Sequence, residues 1–540
     1  VYLRGDDWVI LAIVSSPGFA VNDLFLPYGN HIMPFSLAAF WACRAVFGAT
    51  PWWPLVGLAL VSNVIACYFT WRTIRLLVGP VRRAVVPLAV AAWGAPALAA
   101  AMWPAPAMYQ CPLWAVTAAA IYVHVAGHLS GKPRHLLLIL MVGAGLLVIE
   151  TTLLVLPLLF LISAFWFGPR GAWNSILYAW HSARTLWLVG TALLAVYAAL
   201  YLALGAYAAT LPGQRPRVDL LIEGYLQALT KIVPAMLLGG PWMWREGIAP
   251  VMAVPTGLVL LTAAMAWALI VRWGLRVWGP VIAMVVITVT ALSAARLATF
   301  GSAAVLNPYY YIGVLGLTAI TLAVSVLPNR LPRQQRSEPA RAVFAGAAVL
   351  LLIGAGVTAS GYARSVPSLP SRDYLAAVST SLEQPVLNTQ APREAFGVFS
   401  YAPPFDNAEN LMALAGISGE WVRSTDAPHI LDDGGHRIAA DFDGDPAEVP
   451  SGCQPLTPAL VVPLPTSREP VWSVFAMAYR SEQATRAQIG NGLSTFEIEL
   501  MAGEHTVYFT GPALQDTIRV AADSGCLRSL AVGRLLPKEP

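Results

Sequence analysis

LWLVGTALLAVYAALYLALGAYA, residues 186–208, contains no charged residue and no proline over 23 positions. A helix of that length rises about 1.5 Å per residue, enough to cross a hydrocarbon core of about 30 Å. Similar apolar runs lie near 54–71, 84–103, 112–127, 136–149, 152–168, 253–271, 278–297, 309–327 and 342–360. Several are nearer about 15 residues than about 20, so the boundaries, and the division at Glu150–Thr152, are soft. The 540 residues as a whole are 57% hydrophobic and 11% charged, with mean hydropathy +0.62. An ordinary soluble domain is about 25% charged, which excludes a soluble enzyme of this length.

Charge divides the chain in two. Residues through Gly361 hold 21 basic and 8 acidic residues, and the remainder holds 12 and 21, so a net charge of +4 conceals a basic apolar part and an acidic polar one. Basic residues collect in alternate connections: Arg72, Arg75, Arg82 and Arg83; Lys132 and Arg134; Arg170 and Arg184; Arg272 and Arg276; Arg330, Arg333, Arg336 and Arg341. The positive-inside bias places these loops in the cytoplasm. The first fifty residues, the acids other than Glu338, and everything beyond about Gly361 then face the exterior. The expectation is a multi-pass plasma-membrane protein of about ten crossings, with a transmembrane domain over 1–361 and an exterior domain over 362–540. The chain opens on the exterior side at Val1 with no signal peptide in view, so a preceding helix is expected.

The polar tail reads as β structure. Short β-rich runs (Ala459–Leu464, Val471–Arg480, Thr495–Met501, His505–Gly511, Thr517–Ala521, Cys526–Leu535) alternate with turn signals such as Asp432-Asp433-Gly434-Gly435. That rhythm predicts a β-sandwich or jelly roll. Cys453 and Cys526 are the only cysteines in this part, and an exterior location permits a disulfide between them. Cys43, Cys67 and Cys111 sit in or beside apolar segments and read as small buried hydrophobes.

The strongest local signal is Arg4-Gly5-Asp6-Asp7-Trp8, ahead of a loop continuing through Leu26-Pro27-Tyr28-Gly29-Asn30-His31. Adjacent carboxylates at a membrane surface disfavour each other's ionisation and need a reason to be there. They either begin a short interfacial helix anchored by Trp8 or take part in chemistry. An Asp-Asp pair in the first exterior loop, followed by many crossings, resembles the GT-C superfamily of membrane glycosyltransferases. In that superfamily an acidic residue of this loop activates the acceptor hydroxyl, and the sugar donor is a polyprenyl phosphate. The resemblance extends to the architecture: with a preceding helix, the long exterior loop near 209–252 follows a seventh crossing. The β-domain is similar to the carbohydrate-binding-like domains of actinobacterial members, and the Ala/Gly/Arg/Pro-rich composition fits such a source. No sugar-specific motif is present, and the opening helix of the family is not in the sequence.

The resemblance implies Asp6 or Asp7 as catalytic base, with that loop also the place for any divalent cation the reaction uses. No metal or other cofactor is called for by the residues. The leaving group would be an anionic lipid phosphate, which needs cations or hydrogen-bond donors. Arg296, Arg245, Arg215 and His31 are the candidates on the exterior side, with Arg296 either snorkelling to the interface or holding phosphate. Glu150, Trp242, Trp244, Tyr309 and Tyr310 are candidates to line the substrate groove, a role that competes with aromatic-belt anchoring for the tryptophans. The spacing Asp219, Glu223, Gln227, Lys231 describes the polar stripe of an amphipathic helix. His124 and His128 stand one helical turn apart but lack the Glu of HExxH, and read as structural. Asp441, Asp443 and Asp445 do not make an EF-hand, because Pro446 takes the position that requires Gly.

The expected partners are therefore the bilayer, a polyprenyl-phosphate sugar and a cell-envelope glycan or glycolipid acceptor, without nucleic acid. The competing expectations are a transporter or flippase for lipid-linked saccharides and an inert envelope-assembly protein with a sugar-binding domain. A transporter calls for internal repeats and midplane polar residues, whereas here the acids gather at the exterior surface.

Overall fold

The computed structural model describes residues 6–16, 18–28, 31–48, 51–80, 82–94, 97, 100, 103–204, 218–237, 239–240, 244–245, 249–250, 275–300, 305–327, 331, 340–365, 370–390, 407–465, 472–490, 495–512 and 516–538. The chain divides into two compact units. One comprises Val1, Gly18–Val46 and Pro51–Ser368; the other comprises Tyr2–Pro17, Phe47–Thr50 and Leu369–Pro540. The division falls a few residues beyond the expected 361, and the helix Asp6–Ser15 groups with the C-terminal unit, where it packs against the helix Ala408–Leu414.

The first unit is helical. Among the described residues six helices are long and apolar enough to cross a membrane: Trp52–Val78, Pro104–Ser130, Glu150–Phe167, Arg184–Ala203, Arg276–Ser293 and Pro308–Ser325. Each coincides with an expected apolar run. The runs near 84–103 and 136–149 contain the shorter helices Val85–Trp93 and His135–Leu146, and 342–360 lies inside the helix Ala340–Ser365. The run 253–271 lies outside the described residues. A further apolar helix, Pro34–Phe47, occupies the stretch expected as an exterior loop.

Burial orders these helices. The Pro308–Ser325 span is 83% buried and the Arg184–Ala203 span 22%, so the first is central and the second presents most of its apolar surface outward. Hydroxyls within the spans turn back onto their own helices: Ser62, Thr73, Thr117, Ser163 and Thr318 each donate to the carbonyl four residues earlier. Such bonding removes the cost of an unsatisfied polar group where no water is at hand. Helix contact depends on small residues. At Gly316 a Cβ would stand 1.5 Å from the indole edge of Trp114, so only glycine admits this indole between the helices Ile312–Val326 and Pro104–Ser130. Two short antiparallel strands, β1 (Trp244–Arg245) and β2 (Ala249–Pro250), also belong to this unit.

The second unit is rich in β structure. Its strands are β3 (Val386–Leu387), β4 (Trp421–Val422), β5 (Ser424–Thr425), β6 (His429–Leu431), β7 (Arg437–Pro446), β8 (Gln454–Pro455), β9 (Leu460–Pro463), β10 (Trp472–Ser481), β11 (Thr485–Gly490), β12 (Thr495–Leu500), β13 (Gly503–Pro512), β14 (Thr517–Ala522) and β15 (Cys526–Pro537). One sheet runs β5-β13-β10-β15-β7-β6, with β8 against the start of β15, and a four-stranded sheet runs β12-β11-β14-β9; all these pairs are antiparallel. Burial alternates along β12 and β14, so one face of the smaller sheet turns inward. Phe475, Met477, Val507, Phe509, Leu530 and Val532 of the larger sheet share one apolar core with Ala487, Ile489, Ile498, Leu500, Ile518 and Val520 of the smaller.

Local chemistry fixes the remaining features. The Asp432–Gly435 signal is the turn between β6 and β7, where Asp432 Oδ1 accepts from the amides of Gly434 and His436 at 2.9 and 2.8 Å. This is an Asx-type turn. The turn approaches the helix Pro370–Ser381, and burial, followed by the charges of Asp432 and Asp433, pushes the Tyr374 phenol above its ordinary pKa. Cys526 opens β15 and pairs in register with Pro455, which brings it beside Cys453; the two form a disulfide with Cα atoms 5.2 Å apart.

Candidate functional site

The polar chemistry of the helical unit begins with a docked loop. Asp23 caps the start of the short 3-10 turn Val21–Phe25 by accepting from the Ala20 amide at 2.7 Å, and Tyr28 and His31 exchange backbone hydrogen bonds at 2.8 Å. Pro34 then starts the helix Pro34–Phe47, and the Phe35 amide donates to the Leu147 carbonyl at 3.0 Å. That bond ties the loop to the reversal between His135–Leu146 and the next helix. The reversal is tight because residue 145 is glycine: a Cβ there would lie 2.5 Å from Thr152 Cγ2. Glu150 emerges as the first residue of the turn Glu150–Leu154, so the soft division in the apolar pattern is a real break between two helices.

The consequence is a contact between two residues far apart in sequence. His31 Nδ1 lies 2.5 Å from Glu150 Oε1, with the two side chains 17% and 18% exposed. The second carboxylate oxygen, Oε2, is buried and has no hydrogen-bond partner among the described residues. The Tyr109 ring stacks near the imidazole, 6.2 Å between centroids. Tyr197 brings its phenol within electrostatic reach of Glu150. At the start of the same helix as Tyr109, the N-cap residue Trp103 meets Tyr309 edge-on with ring centroids 5.9 Å apart, and the Tyr309 and Tyr310 ring centroids lie 4.3 Å apart. The Tyr311 hydroxyl donates to the Val305 carbonyl at 3.0 Å and fixes this aromatic turn.

This end of the bundle therefore offers a hydrogen-bonded imidazole and carboxylate, a second carboxylate oxygen that is buried without a hydrogen-bond partner among the described residues, and a group of aromatic rings nearby. Among the expected residues, the structure brings His31 into contact with Glu150, and Tyr309 into contact with Tyr310. Asp6 and Asp7 occupy the first turn of the helix Asp6–Ser15, where negative charge suits the helix dipole. Asp7 is fully buried and Asp6 partly so. They belong to the C-terminal compact unit. Arg296 lies on the helix Leu275–Phe300, and Trp244 and Arg245 form β1. Arg215 and Trp242 lie outside the described residues. Among the described residues no group of three His, Cys, Asp or Glu side chains is placed to hold a metal ion.

Tyr109, Trp103 and Tyr197 were not legible as site residues. Tyr109 and Tyr197 sit within apolar helices, where a phenol reads as one more large side chain, although a buried hydroxyl in such a run is itself a signal. The amphipathic stripe forms the helix Val218–Gln227 and its continuation, held by Tyr225, whose hydroxyl lies 2.5 Å from Thr290 Oγ1 and donates to the Val286 carbonyl at 3.2 Å. Glu223 is exposed, as are the apolar Ile222 and Leu226.

Compared with protein-family models, curated proteins and solved structures, the chain matches none.

Proposed function

We propose that the chain is an integral membrane glycosyltransferase that moves a sugar from a polyprenyl phosphate to a cell-envelope glycan or glycolipid on the exterior face of the plasma membrane. The observation that carries this reading is the His31–Glu150 pair, with one carboxylate oxygen buried and without a hydrogen-bond partner among the described residues, at the same end of the bundle as Tyr109, Trp103, Tyr309 and Tyr310. Outside the cell there is no nucleotide sugar, so a donor must be carried by lipid. Isoprenoid and sugar both favour aromatic walls, and a sugar hydroxyl needs a buried acceptor such as Glu150 Oε2.

In this reading the acceptor hydroxyl attacks the anomeric carbon as its proton passes to the carboxylate of Asp6 or Asp7. The bond from the anomeric carbon to the phosphate oxygen breaks, and its electron pair leaves on the polyprenyl phosphate. Arg296, Arg245, Arg215 and His31 supply positive charge or donors to that leaving group. Glu150 orients a sugar hydroxyl, with Trp242, Trp244, Tyr309 and Tyr310 along the groove. The β-rich unit, a jelly roll in this reading, holds the acceptor glycan, and ten crossings keep both the site and that unit outside.

Purified full-length protein in nanodiscs, incubated with a panel of polyprenyl-phosphate sugars and envelope glycan acceptors, tests this. Release of polyprenyl phosphate in step with glycosylated acceptor is expected. No release from any donor would refute the enzyme reading, and movement of an intact lipid-linked sugar across the bilayer would favour a flippase.

A further inference from the structure

The opposite end of the helix Pro104–Ser130 bears a second cluster. His124 Nε2 and His128 Nε2 lie 2.7 and 3.0 Å from Ser163 Oγ, and Ser163 donates its own proton to the Leu159 carbonyl at 3.1 Å. A hydroxyl has one proton, so both imidazoles donate to Ser163 through Nε2. His128 Nδ1 is left as an acceptor, 3.5 Å from the Tyr178 hydroxyl, while the ring stacks on Phe167 at 4.5 Å. These histidines are therefore held by one another's partners, which agrees with a structural role for them as a rigid wall.

What the wall encloses is a cavity of about 310 Å³, lined among others by His124, His128, Arg134, His135, Tyr178 and Ser182. Among the described residues no Asp or Glu lines it. His135 differs from the other two histidines: its Nε2 is buried and has no hydrogen-bond partner among the described residues. Arg134, the neighbouring residue, supplies a permanent cation at the rim. The Ser182 hydroxyl is committed to the Ala179 carbonyl at 3.0 Å and the Tyr178 proton to His128 Nδ1, so the donor-bearing side chains that remain for a ligand are Arg134 and His135. A water occupies about 30 Å³ of liquid volume, and the space thus exceeds what a few waters or a lone phosphate would fill. Cationic and neutral donors without a competing carboxylate select an anion, and a guanidinium beside an imidazole suits the several oxygens of a phosphoryl group.

We propose that this cavity binds a phosphate monoester, with Arg134 and His135 as its anchoring donors and the His124–Ser163–His128 network as the support that holds its wall. The ester comes either from a soluble metabolite or from a lipid headgroup, since the cavity lies where a membrane-spanning helix ends. The proposal does not rest on sugar transfer at the other end of the bundle.

The test uses the full chain in phosphatidylcholine nanodiscs, titrated calorimetrically with glycerol 3-phosphate and with inorganic phosphate. Saturable binding of glycerol 3-phosphate is expected, and Arg134→Gln and His135→Phe should each weaken it at least about tenfold while leaving thermal unfolding unchanged. Adding phosphatidate to the nanodiscs separates the sources: suppression of the calorimetric signal in wild type, and not in the variants, identifies a lipid headgroup, whereas an unchanged signal identifies a soluble ester. No saturable binding by any of these phosphates, or equal affinity in wild type and both variants, would overturn the proposal.

Discussion

His31 and Glu150 are 119 residues apart in sequence, and His31 Nδ1 lies 2.5 Å from Glu150 Oε1. The pair joins the docked loop to the helix break, so its chemistry and its packing are coupled. His31→Ala and Glu150→Ala should each lower transfer and thermal stability, and the double variant should be little worse than either single. A double-mutant cycle on unfolding should give a coupling of about 1 kcal/mol or more, within the range seen for contacting groups. Additive effects would mean that the pair makes no net interaction.

Gly316 is set against Trp114 with no room for a methyl group. Overpacking a fitted core costs about 1–3 kcal/mol and sometimes more, and the distance of 1.5 Å predicts a cost at the upper end. Gly316→Ala should lower the unfolding temperature in detergent sharply. Adding Trp114→Ala should recover part of that loss, because the indole is what the methyl group meets. A Gly316→Ala protein that unfolds like wild type would contradict the close packing of these two helices.

These two contacts show where sequence reading reaches and where it stops. Apolar length alone located the six spans, since lipid imposes one requirement on every such segment. The alternation in Thr495–Met501 and Thr517–Ala521 located strands β12 and β14 for the same kind of reason. His31 and Glu150 were each legible as polar residues at an expected exterior surface. Their contact was not, because it depends on a loop docked by the Phe35 amide and on the close approach at Gly145. Likewise, nothing in the spacing of Asp6 and Asp7 indicated that the apolar helix behind them packs with Ala408–Leu414.

The bridge between Cys453 and Cys526 closes a span of 73 residues. Loop-closure entropy for such a span corresponds to about 4 kcal/mol, with strain reducing it in practice. Reductant should lower the unfolding temperature of the β-rich unit in the wild-type chain, and Cys453→Ser/Cys526→Ser should reproduce that lower value and be indifferent to reductant. Fluorescence of the full chain on heating, with and without reductant, decides it. An identical transition in all four samples would show that the bridge contributes nothing.

Asp6 and Asp7 are adjacent in sequence but unequal in the fold: Asp7 is fully buried, and Asp6 retains partial access. A general base must reach the acceptor proton, so on the proposed function Asp6, the less buried of the two residues, is the better base, and the fully buried Asp7 serves the first turn of the helix Asp6–Ser15. Asp6→Asn preserves size and some hydrogen bonding but removes proton acceptance. It should fold and bind donor lipid normally while losing roughly 10²-fold or more in turnover. Asp7→Asn alters a buried group, so its main effect should be on thermal stability, with turnover falling less. The two variants should therefore separate on two axes, turnover and unfolding temperature. Normal transfer by both would remove this pair from the chemistry, and the reverse pattern, with Asp7→Asn inactive but stable, would exchange their roles.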